Sequence, residues 1–164
     1  MLDFINFLSL FNRKPQAYAN IHGGPEYPAL RGRVLFYQTA FGVIVSCEVS
    51  GLPTTSEVCK APIFALHIHS GGSCTGTEAD PFSDALTHYN PKDCPHPYHA
   101  GDLPPLFGSN GVAFSSFLTN RFSVSEVIGK TIIIHSGPDD FGSQPAGNAG
   151  EKIACGEIRK NILI

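Results

Sequence analysis

The chain is short of charge. Lys, Arg, Asp and Glu together make up 15% of its 164 residues, against about a quarter in an ordinary soluble domain. Its net charge is only -3, which offers no bulk attraction to nucleic acid or to an anionic membrane surface. There is no CxxC pair, and no two cysteines stand at zinc-ribbon spacing, so neither a thiolate zinc module nor a paired-thiolate copper carrier is indicated. No apolar run approaches the length of a membrane-spanning helix. Internal repeats and low-complexity tracts are missing too.

Glycine (17) and proline (13) are plentiful, and with so few charges they point to long ordered loops on a β scaffold rather than to a helical bundle. The length suits one domain with a single sizeable core. Five cysteines cannot all pair within the chain, so at least one is free. At the start, Phe4, Phe7, Leu8 and Phe11 fall at the spacing of an amphipathic helix stripe that Pro15 would end. A secretory signal would place basic residues before the apolar stretch. Here Asp3 precedes it and Arg13-Lys14 follow, so Ala17-Tyr18-Ala19 only superficially resembles a cleavage box. The expected organisation is an N-terminal helix and lead-in over 1–27 and a domain over 28–164. The default compartment is the cytoplasm, with export without a standard signal as the alternative.

After Pro28 the pattern becomes period two. Val43, Val45, Cys47 and Val49 share one face of a strand, and Ile44, Ser46, Glu48 and Ser50 share the other. Arg31–Gln38 makes a preceding strand, joined through Thr39-Ala40. Further strands are expected at Ile63–His69, Val112–Leu118, Thr131–His135 and Ile153–Ile158. Two long segments lack a period: Ser70–Leu106, which carries Pro91, Pro95, Pro97, Pro104 and Pro105, and the Gly-, Asp- and Ser-rich Ser136–Lys152. Loops this long in a compact domain are usually functional or disordered.

Six of the seven histidines lie between positions 67 and 135. His67 and His69, two apart on a strand, project from the same face while Ile68 points into a core. His135 ends another strand and can complete a set on a rigid wall, which suits a redox metal that must not reorganise. His88, His96, His99 and Asp102 lie on the proline-rich loop. Three imidazoles and a carboxylate with no open position describe a structural zinc site. One copper and one loop-ordering zinc is the partition that this ligand inventory suggests. His22, outside the set, reads as a surface histidine, and Cys47 as a small buried hydrophobe.

The chain resembles the copper/zinc superoxide dismutases, and their bacterial members in particular. The matching stretches are Arg31-Gly32, Ser50-Gly51-Leu52-Pro53, His67-Ile68-His69, His88-Tyr89-Asn90-Pro91, His99-Ala100-Gly101-Asp102-Leu103, His135 followed by Asp139-Asp140, and Gly147-Asn148-Ala149-Gly150 leading to Ala154-Cys155-Gly156. They span about 28–158. The resemblance implies an all-β, eight-stranded antiparallel Greek-key barrel or sandwich with a zinc loop and an electrostatic loop. It implies copper on His67, His69, His88 and His135 and zinc on His88, His96, His99 and Asp102, with His88 bridging. Asp139 would orient His67 and His96 by hydrogen bonds, and Cys74–Cys155 would form the disulfide. The implied activity is disproportionation of superoxide to dioxygen and hydrogen peroxide by Cu(II)/Cu(I) cycling, with His88 passing a proton.

The pattern departs from the family in places. Lys152 stands where an arginine usually steers the anion, keeping the charge but losing the planar fork. The interval from His69 to Cys74 is short, and Cys94 in the zinc loop is not a general feature; it could be a free thiol, a partner for Cys59 or a rival zinc ligand. Asp140 and Glu151 read as solvated loop charges. A non-catalytic dismutase-like domain is the alternative, although relatives of that kind lack copper ligands that are all present here. A zinc-ordered binding module is a third option. Superoxide is the expected partner, with no nucleic acid and no membrane span, and a homodimer is one of the assemblies open to such a chain.

Overall fold

The computed structural model describes residues 14–57, 59 and 62–162. The expected helix over Phe4–Phe11 lies outside the described residues. Among the described residues there are nine strands: β1 (Ala17–Gly23), β2 (Arg31–Thr39), β3 (Gly42–Ser50), β4 (Ile63–His69), β5 (Asp102–Phe107), β6 (Val112–Thr119), β7 (Thr131–His135), β8 (Lys152–Glu157) and β9 (Arg159–Lys160). Eight of them run in the order β5-β4-β7-β8-β1-β2-β3-β6, while β9 pairs with β1. Every pairing is antiparallel. The two end strands, β5 and β6, also meet, which closes the sheet on itself. Closure removes most exposed edge, the usual solution for an antiparallel barrel.

The inward residues make the core. Val43, Val45, Cys47 and Val49 are all buried, as the period of β3 requires, and they pack with Val34, Phe36, Leu66, Ile68, Ile132 and Ile134. On the other face Ser46 is half-buried and Glu48 exposed, but Ile44 is also buried. Here a period-two reading was too simple. At Cys47 burial first, and Glu48 second, push the thiol up to about 12, so it is packing material rather than a reactive group.

Two elements differ from expectation. Residues 17–23, expected to belong to a lead-in before position 28, form a strand between β2 and β8. Ala17, Ala19 and Ile21 are buried and alternate with Tyr18, Asn20 and exposed His22. The period is present, but alanine has weak strand preference and the small-residue run looks like a processing site. The boundary at 27/28 therefore does not divide the structure. The second is β5, which falls largely in Ser70–Leu106, expected to be a loop because it lacks a period; its Pro104 and Pro105 cannot donate to a ladder. They are tolerated at a register shift: Phe64 faces Leu106 and Leu66 faces Leu103. At that shift the Ala65 amide is satisfied by Gly137 O, 2.8 Å away. Prolines at a bulge in an end strand cost the ladder little.

The zinc-loop region is tied down at both ends. Its Cys74 is disulfide-bonded to Cys155 of β8, with Cα atoms 5.6 Å apart. Cys47, Cys59 and Cys94 are free. No described helix is long and apolar enough to cross a membrane.

Candidate metal centre

β4 carries His67 and His69 on its outer face while Ile68 fills the core. β7, hydrogen-bonded beside β4, ends in His135. The loop delivers His88 by continuing the sheet: Tyr89 N donates to Ile68 O at 2.8 Å, Ser70 N donates to Thr87 O at 2.8 Å, and His88 forms an antiparallel bridge with His69. Asp102 opens β5, directly opposite His67. His96 and His99 come from the loop between. All six rings and Asp102 are buried, His67 completely.

The ligand atoms of His67, His69, His88 and His135 lie within 4.8 Å of one another, and so do those of His88, His96, His99 and Asp102. His88 belongs to both groups. The six histidines between positions 67 and 135 and Asp102 are therefore brought together in two groups that share His88.

The hydrogen bonds show which nitrogens are committed. His67 Nε2–H donates to Asp139 Oδ2 and His96 Nε2–H donates to Asp139 Oδ1, both at 2.8 Å. His69 Nδ1–H donates to Leu86 O at 2.8 Å, and His135 Nδ1–H donates to Gly150 O at 3.1 Å. With those protons placed, His69 Nε2 and His135 Nε2 are lone pairs facing each other at 3.4 Å. His67 Nδ1 and His88 Nε2 are buried with no partner. Four lone pairs turned toward one small volume repel one another unless a cation lies between them. Similarly, His88 Nδ1 is 2.8 Å and His99 Nδ1 3.2 Å from Asp102 Oδ1. His96 Nδ1 is 3.0 Å from Asp102 Oδ2 yet is not aligned to hydrogen-bond it. The proximity is that of ligands converging on a centre, and both donor sets fit a metal.

The ring basicities agree. Burial first, then the neighbouring rings of His88, His135, His69 and His96, hold His67 far below the ordinary imidazole range. Burial, followed by His135 and His88, brings His69 down to about 3. Burial lowers His135 to about 4, although its bond to Gly150 opposes this. Neutral imidazoles are the metal-binding form. Asp102 is raised by burial but lowered overall through its bond to His88 and the charges of His88, His96 and His99.

Residues to which the sequence assigned no role at the site hold this arrangement. Gly147, at φ +66°, lies against Asp139, and a Cβ there would strike that carboxylate and come within 2.6 Å of His96 Nε2. Gln144 clamps the electrostatic loop to the zinc loop: its Nε2 donates to His96 O at 2.7 Å and its Oε1 accepts from His96 N at 3.0 Å. Arg121 Nη1 donates to the carbonyls of Pro97, His99 and Asp102 at 2.9, 3.2 and 2.9 Å. Each partner is at least 19 residues away in sequence, so no local spacing could have signalled it. Asp140 is the exposed loop charge that was expected, and it also accepts from Gly142 N, Ser143 N and Ser143 Oγ, which shapes the turn beside the centre. Cys94 is not in either donor group. His22 is exposed.

A cavity of about 900 Å³ opens over the His69, His88 and His135 side, and Lys152 lines it. Lys152 is not a free cation there, because its Nζ is 2.5 Å from Asp80 Oδ2.

A closed antiparallel barrel bearing two buried, histidine-rich donor sets that share one ring, one set facing a cavity, defines a β-barrel protein built to hold two metals. Residues 30–158 match the family Copper/zinc superoxide dismutase (SODC), and the chain belongs to that family. It is 34% identical over 143 residues to "Superoxide dismutase [Cu-Zn] 2" of Aquifex aeolicus, covering 78% of each chain. It is 36% identical over 143 residues to "Superoxide dismutase [Cu-Zn]" of Deinococcus radiodurans, covering 76% of this chain and 75% of the relative. The fold is similar to that of the solved Cu/Zn superoxide dismutase from Brucella abortus, with a TM-score of 0.72, 22% identity, and coverage of 86% of this chain and 98% of that one. The chain is thus an enzyme of the superoxide dismutase class with copper and zinc as its cofactors.

Proposed function

We propose that this chain disproportionates superoxide at the floor of the Lys152-lined cavity, with copper held by His67, His69, His88 and His135 and zinc by His88, His96, His99 and Asp102. The observation carrying this is the pair of buried donor sets meeting at His88, with the unpartnered nitrogens His67 Nδ1, His88 Nε2 and His96 Nδ1. When bound, copper supplies reversible one-electron exchange with superoxide, and zinc supplies fixed charge and loop order. The rest falls to the protein. Leu86 O and Gly150 O fix the tautomers of His69 and His135, and Asp139 fixes those of His67 and His96. His88 Nε2 can hold a proton at the cavity floor and give it to reduced substrate on the way to hydrogen peroxide. The buried strand wall keeps these rings from reorganising. Lys152 is the cation that draws the anionic substrate to the mouth.

Two further readings complete the proposal. Val112, Phe114 and Leu118 are exposed along one face of β6, with Phe107 of β5 also exposed. An apolar strip of this kind on a barrel suits a homodimer. Cytoplasmic residence remains the proposed compartment, although the Cys74–Cys155 disulfide would sit more easily in an oxidising one. Sedimentation and cell fractionation test these two.

The test of the activity is superoxide disproportionation by the purified protein before and after chelation and re-addition of copper. His135→Ala should abolish it while the zinc content and barrel circular dichroism persist, because His135 belongs only to the first donor set. An active His135→Ala protein would refute the copper assignment.

A further inference from the structure

The cavity mouth has an unexpected charge for a site that receives an anion. Among the residues lining it are Glu26, Glu78, Asp80 and Glu151, and against these four carboxylates stands one ammonium, that of Lys152. That ammonium is paired. Asp80 sits in a tight turn: Thr77 N donates to Asp80 O at 2.9 Å, and Asp80 N donates back to Thr77 Oγ1 at 3.1 Å. Its Oδ1 accepts from Phe82 N at 3.1 Å, and its Oδ2 takes the lysine. Phe82 is buried against Ala85, Ile133 and Cys155, with Cys74 beside it, so the turn is stapled to the strand bearing Lys152. The acid is therefore the rigid member of the pair and the lysine stem the flexible one.

We propose that Asp80 is a specificity-determining residue of the dismutase reaction: its carboxylate occupies the Lys152 ammonium, and an incoming anion must displace it to dock. This rests on Lys152 being the substrate-attracting cation. A free ammonium attracts as a point charge, with energy falling as the inverse of distance. An ammonium in contact with a carboxylate attracts as a dipole, and its reach is shorter. Guidance through this mouth is accordingly weak at range and acts once the anion is close enough to compete with Asp80. Superoxide, a small monoanion, meets the remaining carboxylates with one charge, whereas a polyanion meets them with two or more. Asp80 thereby trades encounter rate for rejection of larger anions.

The test compares the parent with Asp80→Asn, Asp80→Ser, Glu78→Gln, Lys152→Gln and the Asp80→Asn/Lys152→Gln double variant, each with copper and zinc contents matched. Asparagine and serine both keep an oxygen for Phe82 N, so the turn has two independent chances to survive. The readouts are kcat/KM for superoxide from low to physiological ionic strength, and binding of inorganic phosphate followed by calorimetry. Removing the carboxylate should raise the low-salt rate by about threefold or more and steepen its decline with salt, and should tighten phosphate by about tenfold. In the Lys152→Gln background the gain should shrink to that of Glu78→Gln, which removes the same charge without touching the lysine. A rate in both Asp80 variants at or below the parent's would overturn the proposal, and so would a gain undiminished without Lys152. Lys152→Gln at the parental rate and salt dependence would instead overturn the underlying assignment of Lys152.

Discussion

His67 and Asp102 are register partners across β4 and β5, so one antiparallel strand pair carries a member of each donor set on a single face. His88 joins the sets through its ring, and Asp139 joins them again by bonding His67 and His96. Three independent links make the two centres mechanically one object. Disturbing the zinc side should consequently be felt on the copper side.

The first consequence concerns the loop. His99→Ala or Asp102→Ala removes a zinc ligand and, for Asp102, the acceptor of the His99 amide. Metal bound only by the folded chain stabilises by mass action, so melting should fall by about 4–8 °C, which is roughly 2 kcal/mol in a chain of this size. Zinc content should drop, and the copper electron paramagnetic resonance spectrum should change through His88. Unaltered melting and zinc content in both variants would dismiss a zinc-ordered loop.

Asp139 touches no substrate, yet it sets two tautomers. Asp139→Asn keeps the size but replaces one accepting oxygen with a donor, leaving His67 or His96 without its acceptor. Loss of such an orienting bond typically weakens metal binding by about 10–100-fold. Gly147→Ala should mimic it, because a Cβ there drives into the same carboxylate. Competition with a chromophoric chelator measures the affinities; parental zinc and copper affinity in Asp139→Asn would rule the role out.

Thiol chemistry separates three cysteines. In denaturant without reductant, three groups should react, since Cys74 and Cys155 are bonded. In the native protein exposed Cys59 should react fast, while Cys47, with its thiol pushed up to about 12, should stay protected until unfolding. Closing an 81-residue separation contributes on the order of 4 kcal/mol in the chain-entropy model, so reduction should lower the midpoint in urea markedly. Five reactive thiols in denaturant would show that the bridge does not form.

The metal-free chain should be acid-sensitive in a defined window. His67, His69 and His135 are all held below the ordinary value of 6.5, His69 near 3 and His135 near 4. Below pH 6.5 the unfolded chain takes up protons that the folded chain does not. Stability is therefore full above about pH 6.5 and declines as pH falls toward 4, by up to about 1.4 kcal/mol per pH unit for each ring. Urea melts of the metal-free protein at pH 7 and pH 5 check the sign; equal or greater stability at pH 5 would contradict it.

Much of this protein is readable along the chain. Chelation needs lone pairs at short range, and His67-Ile68-His69 meets that need within one strand because alternate side chains share a face. The period-two run of β3 likewise declares its buried side. The pairing of the donor sets was legible only through resemblance to a family, since nothing local links His88 to both. What the chain could not declare lies in contacts between distant segments. The strand over Ala17–Gly23 exists because β2 and β8 flank it, and β5 holds two prolines because they fall where its register with β4 shifts. Arg121, Gln144 and Gly147 matter only for the loops they meet across the fold. Lys152 shows the limit most plainly: its position and charge are in the sequence, but whether that charge is free depends on Asp80, 72 residues away. Side-chain identity sets what a group can do, whereas its field and hydrogen bonds depend on neighbours that only the closed barrel brings within a few ångströms.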